Sequence, residues 1–244
     1  MRALDVALPR LPAELAGLRI AHLSDFHFGL PSRGEVAAER AVDWVAERKP
    51  ELVAITGDLV SRPRGEALLR EQLARLERPF VVLGNHDVEH GRDPFSRAAG
   101  LTDLSPARLL VDESATVELR GCRVQIVGVD PRAYLQGRSR PWELVDESAD
   151  LRILLCHFPY VLGFLPPGAF DLVLSGHMHD GQIALPLGRD RKFRFAHPSV
   201  RFATGLYERP GGTMHVSPGL GTTFVPFRFF ARPEATELVL KPLR

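Results

Sequence analysis

Apolar runs in this chain repeatedly end on oxygen- and nitrogen-bearing side chains. Asp25 and His27 follow LRIAHLS, Asp58 closes ELVAITGD, and Asn85, His86 and Asp87 close FVVLGNHD. His157 closes LRILLCH, while His177 and His179 close FDLVLSGHMH. Each residue alone has a plain structural reading, because an Asp before a turn caps backbone N–H groups and a single His is usually a satisfied surface or core group. Five strand ends carrying the same chemistry form a constellation. Hard carboxylate and amide oxygens combined with neutral imidazoles suit Mn²⁺, Fe or Zn²⁺, and the lack of thiolates among them argues against an iron–sulfur or closed structural zinc site. Asp25, His27, Asp58, Asn85, His157, His177 and His179 are too many ligands for one tetrahedral ion. Two divalent ions about 3.5 Å apart, bridged by one carboxylate, would use them all, activate a bridging water and neutralise a phosphoryl oxygen. An imidazole held by a carboxylate is a natural general acid, and His86 with Asp87 beside it offers such a pair.

Those side chains need strands behind them. Continuous apolar segments at 18–25, 51–58, 80–87, 123–130, 151–157 and 170–177 read as strands covered on both faces. Ala37, Ala41, Trp44 and Val45 recur at helical spacing before Pro50, as do Leu69, Leu73 and Leu76 before Pro79. The opening therefore reads β-α-β-α-β within an α/β architecture, whose strand carboxyl ends form one ligand-binding rim. Residues 112–130 read as a hairpin. Residues 188–212 read as a long surface excursion, after which 213–219 and 235–240 return to strand. No linker or repeat divides the 244 residues, so one domain over 1–244 is expected.

The motifs D-x-H, G-D, G-N-H-D, H and G-H-x-H stand in order from Asp25 to His179, with no ligand missing. In this the chain resembles the calcineurin-like metallophosphoesterases. The resemblance implies an α/β fold with a two-sheet β-sandwich flanked by helices. It places Asp25, His27 and His179 on one metal, Asn85, His157 and His177 on a second, and Asp58 between them. Mn²⁺ is the foremost cofactor it implies, with Fe or Zn²⁺ as alternatives. It assigns His86 to the scissile phosphate and the leaving oxygen, with Asp87 orienting it. The implied reaction is in-line attack by a metal-bridging hydroxide on a phosphodiester or pyrophosphate. SDFHFG, GHMHDGQIALP and SPGLGTTFVPFRFFARPE also resemble a bacterial branch of membrane-associated phosphoesterases, some of which cleave the pyrophosphate of UDP-2,3-diacylglucosamine. Asp180 departs from the glycine common after GHxH, a change expected to alter only the turn.

Composition narrows the alternatives. A formal net charge of +1, from 31 basic and 30 acidic residues, gives no general pull toward nucleic acid, so no stable nucleic-acid partner is expected. The expected partner is a small-molecule, nucleotide or lipid-linked phosphate ester. No stretch is apolar over the length of an export signal or membrane span, so a cytoplasmic protein is expected, with peripheral contact at the inner membrane left open by the aromatic FVPFRFF at 224–230. Phe224, Phe227, Phe229 and Phe230 are expected to close the core. Arg189, Arg191, Lys192 and Arg194 form a basic cluster that would receive a second phosphate or serve as solvated surface. His197 and His215 are open between pocket lining and structural roles. Cys156 is expected to be a core thiol, because alternation sends it away from the face that carries His157. A phosphomonoesterase and a non-catalytic scaffold are the competing readings, and a scaffold has no physical need of His86 beside a complete ligand set.

Overall fold

A computed structural model of the chain describes residues 1–88, 93–188, 192–196 and 200–243. In chain order the first strands are β1 (Arg2–Leu8), β2 (Arg19–Leu23), β3 (Leu52–Thr56), β4 (Phe80–Val82) and β5 (Arg108–Leu109). A second group follows: β6 (Glu113–Leu119), β7 (Cys122–Gly128), β8 (Leu151–Leu155) and β9 (Leu172–Ser175). The last are β10 (Ala184–Pro186), β11 (Lys192–Arg194), β12 (Gly205–Arg209), β13 (Gly212–Val216) and β14 (Thr236–Pro242). The α-helices are α1 (Gly34–Arg48), α2 (Glu66–Ala74) and the short α3 (Pro131–Leu135).

One sheet runs β1-β14-β2-β3-β4-β5 and the other β12-β13-β9-β8-β7-β6, while β10 and β11 form a separate hairpin. Parallel pairing joins β2 to β5 in the first sheet and β13, β9, β8 and β7 in the second. The antiparallel β6–β7 hairpin lies where the alternation places it. Two features depart from the sequence reading. A strand, β1, precedes the expected opening and pairs in parallel with the last strand, β14. The expected surface excursion contains β12, which pairs antiparallel with β13 despite its polar LYER sequence. As an edge strand with one exposed face, it needs little apolar patterning.

Side-chain alternation sorts the core into three layers. On β3, Leu52 and Ala54 face the other sheet, while Val53 and Ile55 pack under α1 and α2 with Ala38, Val45, Leu69 and Leu73. On β8, Leu151, Ile153 and Leu155 face the same seam, and Leu154 and Cys156 face the far side with Val173 and Met214. Burying apolar area at about 25 cal/mol per Å² on both faces of both sheets holds the sandwich together. Continuing that parity past the strand ends brings residues 58 and 157 back to the seam. The catalytic candidates therefore rise from between the two sheets.

Candidate metal centre

Both sheets supply side chains to one end of the seam. Asp25 and His27 follow β2, Asp58 follows β3, Asn85 and His86 follow β4, His157 follows β8, and His177 and His179 follow β9. Asp25, His27, Asp58, His177 and His179 all have left-handed backbone, with φ of 55°, 52°, 51°, 73° and 50°. Such residues cost about 1–3 kcal/mol each and persist where surrounding contacts over-determine them. Here those contacts are backbone ties between loops: Asp25 N to Gly57 O, His27 N to Asp58 O, and His177 N to the Asp25 carboxylate at 3.1 Å. Two glycines permit the approach. A Cβ at Gly84 would stand 2.1 Å from Asp58 Oδ1, and one at Gly176 would stand 1.9 Å from Ser24 Oγ.

Asp25, His27, Asp58 and His179 each offer a donor atom, all within 4.8 Å of one another, and Asp58, His157 and His177 do the same. Asp58 belongs to both groups. His27 Nε2 lies 3.1 Å from His179 Nε2, and His177 Nδ1 lies 3.2 Å from His157 Nε2. Asn85 Oδ1 lies beside the second group, 3.2 Å from His157 Nε2. Ring nitrogens that converge on each other and on carboxylates, rather than on ordinary donors, fit a pair of divalent cations. The outer nitrogens are held separately. His157 Nδ1 donates to Thr56 O at 2.7 Å, which leaves its Nε2 for the site, and His27 Nδ1 meets Ser61 Oγ at 2.8 Å. Arg228 Nη2 stands 2.9 Å from His179 Nδ1. A guanidinium only donates, so ligation through His179 Nε2 requires it to turn away as Nδ1 takes the ring proton.

Charge in the centre is arranged around the two aspartates. Burial alone would raise both carboxyls, yet His179 holds Asp25 well below the usual carboxylate range, and His157, His86 and His27 do the same for Asp58. Burial would lower His157, but the Asp58 carboxylate beside it overrides this and pushes it up to about 9. Burial and the His157 charge bring His177 down to about 3. Burial also lowers His27 and His179, which favours the neutral rings that ligation uses.

The profile of the family described as calcineurin-like phosphoesterase matches residues 18–181, more than half of the chain. The chain is a calcineurin-like phosphoesterase. With its uncharacterised metallophosphoesterase relative YkoQ of Bacillus subtilis the phosphoesterase shares 28% identity, over 90% of its own length and 82% of the relative's. With a zebrafish (Danio rerio) transmembrane protein with metallophosphoesterase domain it shares 32% identity over 98% of its length, but it spans only 57% of that protein. Its fold is similar to that of Haemophilus influenzae NAD nucleotidase, at a TM-score of 0.50 and 16% identity over 83% of this chain and 45% of that one. The family, the fold and the paired donor groups make this a metal-dependent phosphoesterase with a site able to bind two divalent ions.

Several expectations about the phosphoesterase need correction. Asp87 does not hold the His86 ring: its carboxylate accepts the backbone N–H groups of Leu59, Val60 and Gly84 and so ties the Asp58 loop to the Asn85 loop. Burial and the neighbouring Asp58 raise its pKa to about 7. His86 Nδ1 instead meets Ser96 Oγ at 3.0 Å. Phe224, Phe227, Phe229 and Phe230 do not close the core and are 47–55% exposed. Asp180 does more than shape a turn. It keeps left-handed backbone at φ 49°, and its carboxylate accepts from Lys192 and Arg194, so those two cations are already partnered. Arg189, Arg191 and His197 lie outside the described residues.

His215 is buried in the seam with its Nδ1 2.7 Å from His22 Nδ1, and His22 Nε2 meets Thr56 Oγ1 at 2.9 Å, so His215 is a satisfied structural group. His22 was missed by motif reading, although its parity with Ile20 marks it as facing the seam. Cys156 is buried on the far face, as alternation requires, and burial pushes its thiol up to about 12.

Proposed function

We propose that the chain hydrolyses a phosphodiester or pyrophosphate bond in a lipid-linked phosphate ester. In this reading Asp25, His27 and His179 hold one metal ion, Asn85, His157 and His177 hold the other, and Asp58 is shared. The observation that carries it is that Asp58 belongs to both donor groups. When bound, the ions would activate water for attack and neutralise charge on the phosphoryl oxygens. His86 lines the cavity beside Asp58 and Asn85 and delivers a proton to the departing oxygen. Asp87 positions the loops that carry these groups.

The lipid-linked reading is supported by the walls. The cavity, about 530 Å³, is flanked by Leu135, Phe158, Met178 and Phe224. Phe224 also borders a groove of about 390 Å³ lined by Leu30, Pro31, Phe95 and Val225, with Arg62 and Arg64 at its edge. Phe193, Phe195, Phe227, Phe229 and Phe230 stand exposed. An apolar surface rimmed by cations suits an acyl chain beneath an anionic head group, and peripheral contact with a membrane. Among the described residues no helix is long and apolar enough to cross a membrane, and the zebrafish relative carries "transmembrane" in its name. Mn²⁺ is the first metal to supply, and a UDP-linked diacyl sugar is the first natural substrate to offer.

The test compares bis-p-nitrophenyl phosphate with p-nitrophenyl phosphate under Mn²⁺. We expect the diester to turn over faster, and His86→Ala to lower that rate by about 10²-fold or more. A monoester preference surviving in the wild type and lost in His86→Ala would reassign the enzyme as a phosphomonoesterase.

A further inference from the structure

We propose that Ser96 and Asp93 are positioning residues for His86, holding its ring so that Nε2 is the atom that delivers the proton. The inference rests on the general-acid reading of His86. Asp93 is almost fully buried, and its Oδ2 lies 3.1 Å from Ser96 Oγ. Ser96 Oγ in turn lies 3.0 Å from His86 Nδ1. An ionised carboxylate only accepts, so the single hydroxyl proton of Ser96 goes to Asp93, and Ser96 Oγ is left to accept from His86. His86 Nδ1 is therefore the ring nitrogen that donates to Ser96. The second ring nitrogen, Nε2, makes no hydrogen bond among the described residues, so a proton carried there is the one available to the leaving oxygen. As the P–O bond breaks, that proton passes to the leaving oxygen and the ring becomes the neutral Nδ1–H form.

Asp93 is fastened on its other side. It accepts from Phe95 N at 2.9 Å, from Thr223 Oγ1 at 3.1 Å and from Phe224 N at 3.0 Å. Burial alone would raise its carboxyl, and these donors outweigh burial and hold it below its ordinary value. Asp93 thus fixes His86 relative to Thr223 and Phe224, which line the same cavity. The Asp87 carboxylate, committed to three backbone N–H groups, leaves the role open.

The experiment uses the full chain with aryl and alkyl phosphodiesters of graded leaving-group pKa. A poor leaving group needs the proton and dinitrophenolate does not. Ser96→Ala is expected to lower kcat about tenfold or more for the alkyl diester and by less than about threefold for the dinitrophenyl diester. Ser96→Thr, which keeps the hydroxyl, should restore the alkyl rate. Independently of turnover, ¹H–¹⁵N NMR of the chelator-treated chain at alkaline pH should give His86 as the Nδ1–H form, shifting toward Nε2–H in Ser96→Ala. If His86→Ala steepens the leaving-group dependence but Ser96→Ala leaves it and the tautomer unchanged, the positioning role is overturned while the role of His86 stands. If His86→Ala does not steepen the leaving-group dependence, the general-acid reading falls and the positioning role falls with it.

Discussion

Asp25, Asp58 and His157 on the floor of the site are no more than 1% exposed, whereas Phe224 on its wall and Phe227, Phe229 and Phe230 in the segment that follows are 47–55% exposed. The floor is built from strand ends of both sheets, with left-handed residues locked by cross-loop hydrogen bonds. The wall is built from a chain segment with few strands, tied down by polar contacts such as those of Gln182 with Thr223 and Val225. The difference separates two tasks. In the proposed reading the buried floor fixes the reaction, and the apolar, solvent-facing wall chooses what is brought to it.

The largest effect should come from the shared residue of the floor. Asp58→Asn keeps the shape and the backbone contact to His86 N. It is nonetheless expected to lower kcat/KM on an aryl phosphodiester about 10³-fold, by removing charge from both donor groups. In chelator at pH 9.5, where no ion is held and His157 has lost its extra proton, its Tm should stay within a few degrees of wild type. An equal loss of stability would mean that the floor is structural rather than catalytic.

A second contrast uses pH. His157 is raised to about 9 in the folded, metal-free chain against an ordinary 6.5, so the folded state binds the extra proton between those values. The stability it contributes is complete below pH 6.5 and is lost as pH rises through 9, an effect of up to about 3 kcal/mol. With Mn²⁺ present the trend should reverse, because the ion displaces that proton and binds more tightly as pH rises. Thermal melts from pH 6 to 9.5, with and without Mn²⁺, read both slopes. Parallel slopes would remove His157 from the ligand set.

The wall should respond more mildly and only to the right substrate. Replacing Phe227, Phe229 and Phe230 together by Ser is expected to weaken binding to anionic phosphatidylglycerol vesicles about tenfold, given about 25 cal/mol per Å² of apolar area withdrawn from water. The same variant should hydrolyse bis-p-nitrophenyl phosphate within about twofold of wild type, because each ring is already half exposed and surface substitutions cost about 0.5 kcal/mol or less. Unchanged vesicle binding would leave the wall without a lipid role.

Much of the floor was legible in the sequence because its signals are local. Each proposed ligand sits at or just past the end of an apolar run, and period-two parity carries residues 58 and 157 to one face. What escaped was long-range or lay in irregular segments. Nothing periodic marks Asp93 or Ser96, which reach His86 only through a loop. The pairing of β1 with β14 joins opposite ends of the chain, which no local pattern records. The aromatic run at 224–230 has the composition of core and the position of surface, and composition alone could not separate the two. Asp87 follows His86 directly and looks like its partner. Its buried backbone acceptor role depends on Leu59, Val60 and Gly84, which only the fold brings near.

The position of β14 between β1 and β2 has a consequence for biosynthesis. Every other strand of the first sheet is made before it, yet among the described residues β1 has no neighbouring strand except β14. During translation β1 therefore waits without its partner, and β2 with one edge open beside β3, while the second sheet is synthesised, a long exposure of strand backbone to aggregation. The sheet can close only after residues 236–242 have left the ribosome. A nascent chain stalled shortly before that point would carry nearly all of the proposed chemistry and still be a chaperone client.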